Sequence, residues 1–288
     1  MALIKSRENI GIIFAFLAYF LFSLSDAFQK YAILTQSIFQ LLLFRYCFLL
    51  LLSLTESYRK NNYNFWKSKN FIKQILRSFL SIVESCFFIL SFRYLELADA
   101  HSVGSLAPVI IVVLSVLILK EKVEAKTWIA IFFGFIGVLI ILRPGLSVFE
   151  FKSLLPLLGA FFLGLYQIIT RDVSKSDSTE TSLFFTSIIG IIISSILSFI
   201  FWKEIAIFSF FILILIAVIS SVGIYLHIIA LSKARASIIQ PFHYTLIFWS
   251  IIFGYFFYSD LPDLPTLIGA FLIVLSGIYI ARLKLISK

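Results

Sequence analysis

Apolar residues run along this chain in long blocks, broken by short clusters of charge, proline and glycine. A helix rises 1.5 Å per residue, so a block of ~20 apolar residues is the length that crosses a ~30 Å hydrocarbon layer. The pattern predicts ten such helices, at 10–31, 37–56, 73–93, 98–119, 126–142, 153–171, 180–202, 207–230, 236–258 and 264–283. The connections are short, as in "KEKVEAK" (120–126) and "SDLPDLP" (259–265), and leave no soluble domain between blocks. One block is odd. In "SFLSIVESCFFIL" (78–90) a single carboxylate, Glu84, stands among Phe, Leu, Ile and Val.

Composition says what solvent these helices need. Hydrophobic residues make up 61% and charged residues 14% of the 288, with a mean hydropathy of +1.05. A soluble domain is about half apolar and a quarter charged, so lipid must cover most of this surface. The expected class is an all-α polytopic membrane protein. Lys5 and Arg7 precede an apolar run that starts at Ile10 and outlasts the ~7–15 residues of a signal-peptide core. That run is read as a retained first span.

Charge placement orients the chain. With the N-terminus inside, the outer segments hold only Lys30, Arg93, Arg143, Lys152 and Lys203, and Arg45 lies within a span. All other Lys and Arg fall on the inner side, so both termini are expected in the cytoplasm. The net charge of +9 is then an orientation signal, and no basic stripe points to nucleic acid. Cys47 and Cys86 both sit in apolar runs, without metal-like spacing, and are read as small buried hydrophobes. No metal or other cofactor is expected.

Two stretches repeat one another. "KEKVEAKTWIAIFFGFIGVLIIL" (120–142) and "SDLPDLPTLIGAFLIVLSGIYI" (259–280) each carry an acid, Glu121 or Asp260, six residues before a Thr that opens a glycine-bearing helix. A proline, Pro108 or Pro241, sits early in the helix before each, although the two do not superpose without a gap. Ten spans then divide into two halves of five, 1–145 and 146–288. Five is odd, so the second half crosses the membrane in the opposite sense, the inverted-repeat plan of secondary transporters.

At these residues the chain resembles the drug/metabolite transporter superfamily, in its ten-span branch of paired EamA domains. The likeness is carried by "LELADAHSVGSLAPVIIVVLSVLILKEKVEAKTWIAIFFGFIGVLIILRPG" (95–145), with its small-residue helix, proline, acidic loop and closing Arg-Pro-Gly. It continues in "GAFFLGLYQIITRDVSKSDSTETSLFFTSIIG" (159–190) and "QPFHYTLIFWSIIFGYFFYSDLPDLPTLIGAFLIVLSGIYI" (240–280). The resemblance implies a carrier of a small metabolite in the cytoplasmic (inner) membrane. It assigns no role to Glu84.

Polar groups inside the spans are the candidate chemistry, since a charge in mid-membrane costs at least ~2.5–3.5 kcal/mol. Tyr19, Ser23, Asp26 and Lys30 share one helical face, and Asp26 and Lys30 can pair at i, i+4. Arg45, Glu84 and Asp26 reach comparable depths. Arg45 either pins the first three helices as an ion pair or grips a substrate carboxylate. Glu84 either binds a substrate amine or carries a proton. Burial favours the protonated form of a carboxyl and an adjacent guanidinium opposes it, so Glu84 serves as a proton carrier only if Arg45 is elsewhere. In the second half Gln240, His243, Tyr244 and Ile247 form one stripe beside Pro241, whose missing N–H frees a carbonyl. Gln240, His243 and Tyr244 are read as substrate contacts, and Tyr166 and Gln167 as further liners. His227 is read as a packing histidine, Arg171 as an interfacial anchor, and His101, Ser102 and Ser105 as entrance residues. Ala160-x-x-x-Gly164 allows close helix approach within one chain or between two.

These features favour a secondary transporter over the other classes. An embedded enzyme would need His-Glu-x-x-His, Gly-x-Ser-x-Gly or paired metal ligands, and the chain has none of them; it also lacks a P-loop. A scaffold or receptor would carry an extramembrane module. Export of an amino acid or related compound is what the family resemblance implies first. The alternative is uptake of a nucleoside-, cofactor- or organic-cation-like compound, with Tyr166, Tyr244 and Trp249 as stacking surfaces. Protons are the candidate coupling ion.

Overall fold

The computed structural model describes residues 2–142, 152, 154–259 and, between 264 and 275, residues 264, 265, 267–269, 271, 272 and 275. Among these residues the chain is all helical: α1 (Ala2–Ala32), α2 (Ile38–Arg59), α3 (Phe71–Ser91), α4 (Leu97–Gly104), α5 (Ala107–Leu117), α6 (Ala125–Leu142), α7 (Leu154–Val173), α8 (Thr179–Ile200), α9 (Ile207–Lys233), α10 (Ala236–His243) and α11 (Thr245–Tyr258). Eight stretches are long and apolar enough to cross a membrane; α4–α5 and α10–α11 each count as one of them. The helix α6 covers the predicted fifth span. The predicted tenth span, the Arg-Pro-Gly at 143–145, Asp260 and Thr266 lie wholly or mostly outside the described residues.

Local chemistry sets the helix ends. Ser37 starts α2 with a reciprocal cap: Gln40 N donates to Ser37 Oγ at 3.2 Å and Ser37 N to Gln40 Oε1 at 3.1 Å. Ser178 caps α8 by accepting from Thr181 N. Two predicted spans are broken helices instead of continuous ones. In the fourth, Pro108 removes the donor that would meet the carbonyl of Gly104, where α4 ends, and tight i+3 bonds at Ser105 and Leu106 carry the chain into α5. In the ninth, the break falls at Tyr244, after Pro241 and not before it.

The helices lie side by side in one bundle. Gln40, at the start of α2, donates to the carbonyl of Lys203 beyond α8, while Lys60, at the end of α2, pairs with Glu180 at 2.6 Å near the start of α8. α2 and α8 are therefore antiparallel neighbours. α1 lies against α9, α3 against α7, α2 also against α9 and α3 against α8. α1 touches α10 and α11, and α7 touches α4 and α5. The lateral surface is rich in exposed Phe, Ile and Leu, such as Phe199, Ile207 and Phe256. Cys47 is on that surface too, which corrects its reading as buried; Cys86 is half-buried, and both thiols are free. Gly164 faces Ile110 of α5 so closely that a Cβ would sit 2.9 Å from it, so the small-residue pair on α7 is used within the chain.

Candidate substrate site

Within the bundle lies a cavity of about 100 Å³. It has room for several waters, at ~10–15 Å³ each. It is smaller than the ~300 Å³ or more of sites that enclose a ring-bearing metabolite. Side chains from α1, α2, α3, α4, α7, α9, α10 and α11 line it. Long straight helices deliver most of them at i, i+3 and i+4 spacing: Tyr19, Phe22, Asp26 and Gln29 from α1, and Ser81, Glu84, Ser85 and Phe88 from α3. The broken helices deliver the rest, with His101 and Gly104 at one break and His243 and Leu246 at the other.

One wall is charged. Arg45 Nη2 donates to Gln29 Oε1 at 2.6 Å and Nη1 to Ser85 Oγ at 3.1 Å. Gln29 Nε2 in turn donates to Asp26 Oδ1 at 2.8 Å, and Ser85 Oγ to Glu84 Oε2 at 3.1 Å. His101 Nε2 lies 3.2 Å from Asp26 Oδ2, off the line of a hydrogen bond. Arg45 thus reaches both acids through a neutral side chain and pairs directly with neither. The Asp26–Lys30 pair expected from the sequence is replaced at Asp26 by Gln29 and His101, and the Lys30 ammonium lies over the Tyr258 ring at 4.7 Å.

The opposite wall is aromatic. Tyr19 meets His243 edge-on at 5.1 Å and His227 at 5.7 Å, and Phe22 meets His227 at 5.8 Å. All three histidines of the chain line this one cavity. Some lining residues hold buried atoms without a hydrogen-bond partner: Arg45 Nε, His227 Nε2 and His243 Nδ1. Each such group left unsatisfied costs about 1–3 kcal/mol. Among the described residues no three His, Cys, Asp or Glu side chains gather as a metal site.

The EamA-like transporter family model matches residues 9–143 and again 151–282. The chain belongs to this family. It is 25% identical to an S-adenosylmethionine uptake transporter of Rickettsia bellii, over 97% of both chains. It is 26% identical to a riboflavin transporter of Vibrio cholerae, over 75% of this chain and 73% of that one. A solved structure superposes with a TM-score of 0.77 over 97% of both chains at 14% identity, a likeness of fold. Family and relatives are those of a membrane transporter, not an enzyme.

Within this family member, the structure gathers Arg45, Glu84, Asp26, Tyr166, Gln167 and His243 around one space, together with His227, His101 and Tyr19. It does not bring every candidate there. Gln240 stands behind the wall and donates to Gln167 Oε1 at 2.7 Å. Tyr244 points away from the cavity: it is fully buried, its Oη donates to the carbonyl of Ile131 at 3.3 Å, and its ring covers Gly134 of α6. Trp249 packs on Phe20 at 4.9 Å. The sequence reading passed over Gln29, Ser85 and Phe88. Gln29 had a signal, being three residues from Asp26 on the same helix face; the serine and phenylalanine had none among so many others.

Arg77 was also missed, having been grouped with the inner-loop cations. It is fully buried in α3. Its Nε donates to Gln74 Oε1 at 3.1 Å, Nη1 to Thr170 at 3.4 Å and Nη2 to Thr186 at 2.6 Å and to the Ser182 carbonyl. The guanidinium lies against the Tyr166 ring, 5.6 Å from its centroid. Arg171 joins α7 to its neighbours, holding Glu121 at 3.4 Å and the Leu231 carbonyl at 2.7 Å.

Proposed function

We propose that this transporter is built of ten transmembrane helices in two inverted repeats, 1–145 and 146–288, and carries a small ring-bearing polar metabolite by alternating access. The neighbour pattern supports the inversion. Exchanging the halves sends α1 to α7, α2 to α8, α3 to α9 and the broken span α4–α5 to α10–α11. The pair α1·α9 then becomes α7·α3, α2·α9 becomes α8·α3, and α1 with α10–α11 becomes α7 with α4–α5. Each of these is a neighbour pair in the bundle. The two helix breaks are exchanged as well, and both line the cavity. Lys60, Lys73, Arg171 and Arg235 cluster with the α2–α3, α7–α8 and α9–α10 connections at one end, which supports a cytoplasmic placement of that end and of both termini.

The single observation that carries the reading is a cavity lined from both halves, in which Arg45, Asp26 and Glu84 stand beside residues with unpartnered buried polar atoms. A substrate supplies partners that the protein withholds. The cavity is smaller than a ring-bearing ligand needs, so side chains or helices must move to admit one. Arg45, Glu84, Asp26, Tyr166, Gln167 and His243 are the proposed contacts, with Gln240 supporting Gln167. The names of the relatives favour uptake of a cofactor-like compound over export of an amino acid. Asp26 and Glu84 are the candidate carboxylates if a proton gradient drives transport.

The test is flux in proteoliposomes with labelled S-adenosylmethionine, riboflavin and aromatic amino acids, in both directions and with or without a proton gradient. The expected result is saturable flux of a ring-bearing compound that unlabelled compound chases. No flux above empty vesicles for any of these, from protein that melts as a folded species, sinks the reading.

A further inference from the structure

Resting on that transport reading, we infer that Arg45 and Glu84 form one cradle for a zwitterionic head group, binding a substrate carboxylate and a substrate ammonium together while the substrate ring lies against Tyr19, His227 and His243. The alternative roles that the sequence left open for these two residues then become halves of a single recognition site.

The argument starts from what the charges do not do. A guanidinium and two carboxylates sharing a small, partly dry space would gain most by direct contact. Here each acid is instead held at one remove. Gln29 spends its carbonyl on Arg45 and its amide N–H groups on Asp26 and Ser25. Ser85 accepts from Arg45 and donates to Glu84. Two neutral side chains therefore fix the positions of the charges and keep them apart, which is the arrangement a bound zwitterion needs and a purely structural ion pair does not.

The unspent bonding capacity falls on the same two residues. Arg45 Nε is buried and has no acceptor. Glu84 takes a hydrogen bond on Oε2 only, from Ser85, whereas both oxygens of Asp26 already face a protein group, Gln29 on one side and His101 on the other. Glu84 is thus the carboxylate left for an ammonium. Across the cavity, His227 Nε2 and His243 Nδ1 are also without partners. A neutral imidazole offers one donor and one acceptor, which suits the ring nitrogens and exocyclic groups of a heteroaromatic ring. Tyr19 supplies an aromatic surface between the two imidazoles.

The experiment uses the purified full chain and two matched ligand series, read by thermal stabilisation and by competition for flux. One series is tryptophan, tryptamine and indole-3-propionate; the other is S-adenosylmethionine, decarboxylated S-adenosylmethionine and 5′-methylthioadenosine. Wild type is expected to bind each zwitterion at least tenfold more tightly than its analogues lacking one or both head-group charges. Glu84→Gln should weaken tryptophan and tryptamine at least tenfold and leave indole-3-propionate within threefold. Arg45→Gln should weaken tryptophan and indole-3-propionate and spare tryptamine. If the headless analogues bind wild type as well as the zwitterions do, the cradle is overturned without reference to any variant. A folded variant that weakens all three indoles alike overturns it too. Riboflavin flux with no zwitterion binding overturns the cradle and leaves transport standing; binding in the expected order with no flux overturns transport and leaves the cradle.

Discussion

Arg45 and Arg77 are both buried arginines in membrane-spanning helices, at 6% and 0% exposed, yet their surroundings differ in kind. Arg77 has acceptors on Nε and on both terminal nitrogens, supplied by α3, α7 and α8, with the Tyr166 ring against it. Arg45 has two acceptors, an idle Nε, and a cavity in front of it. Burial of a charge in the membrane marks a candidate site, but here it is the state of the donors that separates the two. A satisfied guanidinium is a fastener; one with capacity to spare is a receptor. Tyr166 stands between them, lining the cavity and covering Arg77.

The largest expected effect tests that division directly. Arg77→Ala removes four hydrogen bonds, strands Gln74 Oε1 and leaves a void in the α3–α7–α8 seam, while the Ser182 carbonyl keeps the Thr186 hydroxyl as donor. With about 1–3 kcal/mol for the stranded oxygen and a further cost for the void, a loss of roughly 3 kcal/mol is expected, read as a lower midpoint in denaturing-detergent titration. Arg45→Ala removes only two hydrogen bonds and strands Gln29 Oε1, and it also removes an unpartnered buried donor, so a smaller loss than for Arg77→Ala is expected by the same titration, together with abolished flux. If the two variants exchange these phenotypes, the comparison is wrong.

Next in size is Gly190→Ala. A Cβ there would sit 2.3 Å from the ring of Tyr46, the residue beside Arg45 on α2. Overpacking costs about 1–3 kcal/mol, partly offset by the ~1 kcal/mol that alanine gains over glycine in a helix. The displaced ring pushes on the helix that carries Arg45, so substrate affinity should fall together with stability. An unchanged affinity would show that α2 tolerates movement and that Arg45 is not held to a fixed position.

Ser85→Ala is gentler. It leaves Arg45 Nη1 and Glu84 Oε2 each short of one partner, at about 1 kcal/mol, and frees the two charges to approach. A fewfold loss of zwitterion affinity is expected, with little change in melting. A gain in affinity would mean that the serine blocks the site instead of setting it.

Much of this architecture was legible in the pattern of apolar blocks, because a span is defined by its length and lipid leaves few other choices for the backbone. The cavity was partly legible for the same reason: Arg45, Glu84 and Asp26 are conspicuous in hydrocarbon. What sequence spacing could not supply was the partner across the bundle. Asp26 and Lys30 have good i, i+4 spacing, but Asp26 is bonded by Gln29 of its own helix and faced by His101 of α4. Tyr244 shares a stripe with His243, yet the helix breaks at that very residue, and its ring turns to α6. Arg77 stands near the start of its helix, where most cations reach back to water. Only the tertiary structure shows Gln74, Thr170, Ser182 and Thr186 closing round it.

The smallest expected effect lies just beyond Arg77, where the α2–α3 and α7–α8 connections meet. Gln74, which holds Arg77 Nε, also donates to Asp177 Oδ2 at 3.0 Å, and Asp177 takes further bonds from the Ser68 hydroxyl and Lys69 N. Alongside it, Lys73 and Asp172 pair at 2.7 Å with side chains 52% and 31% exposed. Exposed ion pairs are screened by salt and contribute about 0–1 kcal/mol. Lys73→Ala should therefore shift the unfolding midpoint barely at all and leave flux unchanged, with any shift vanishing in high salt. A large, salt-resistant loss would mean that the loop clamp depends on this pair, and that the fastening of Arg77 extends out to the membrane surface instead of ending at its ring of buried acceptors.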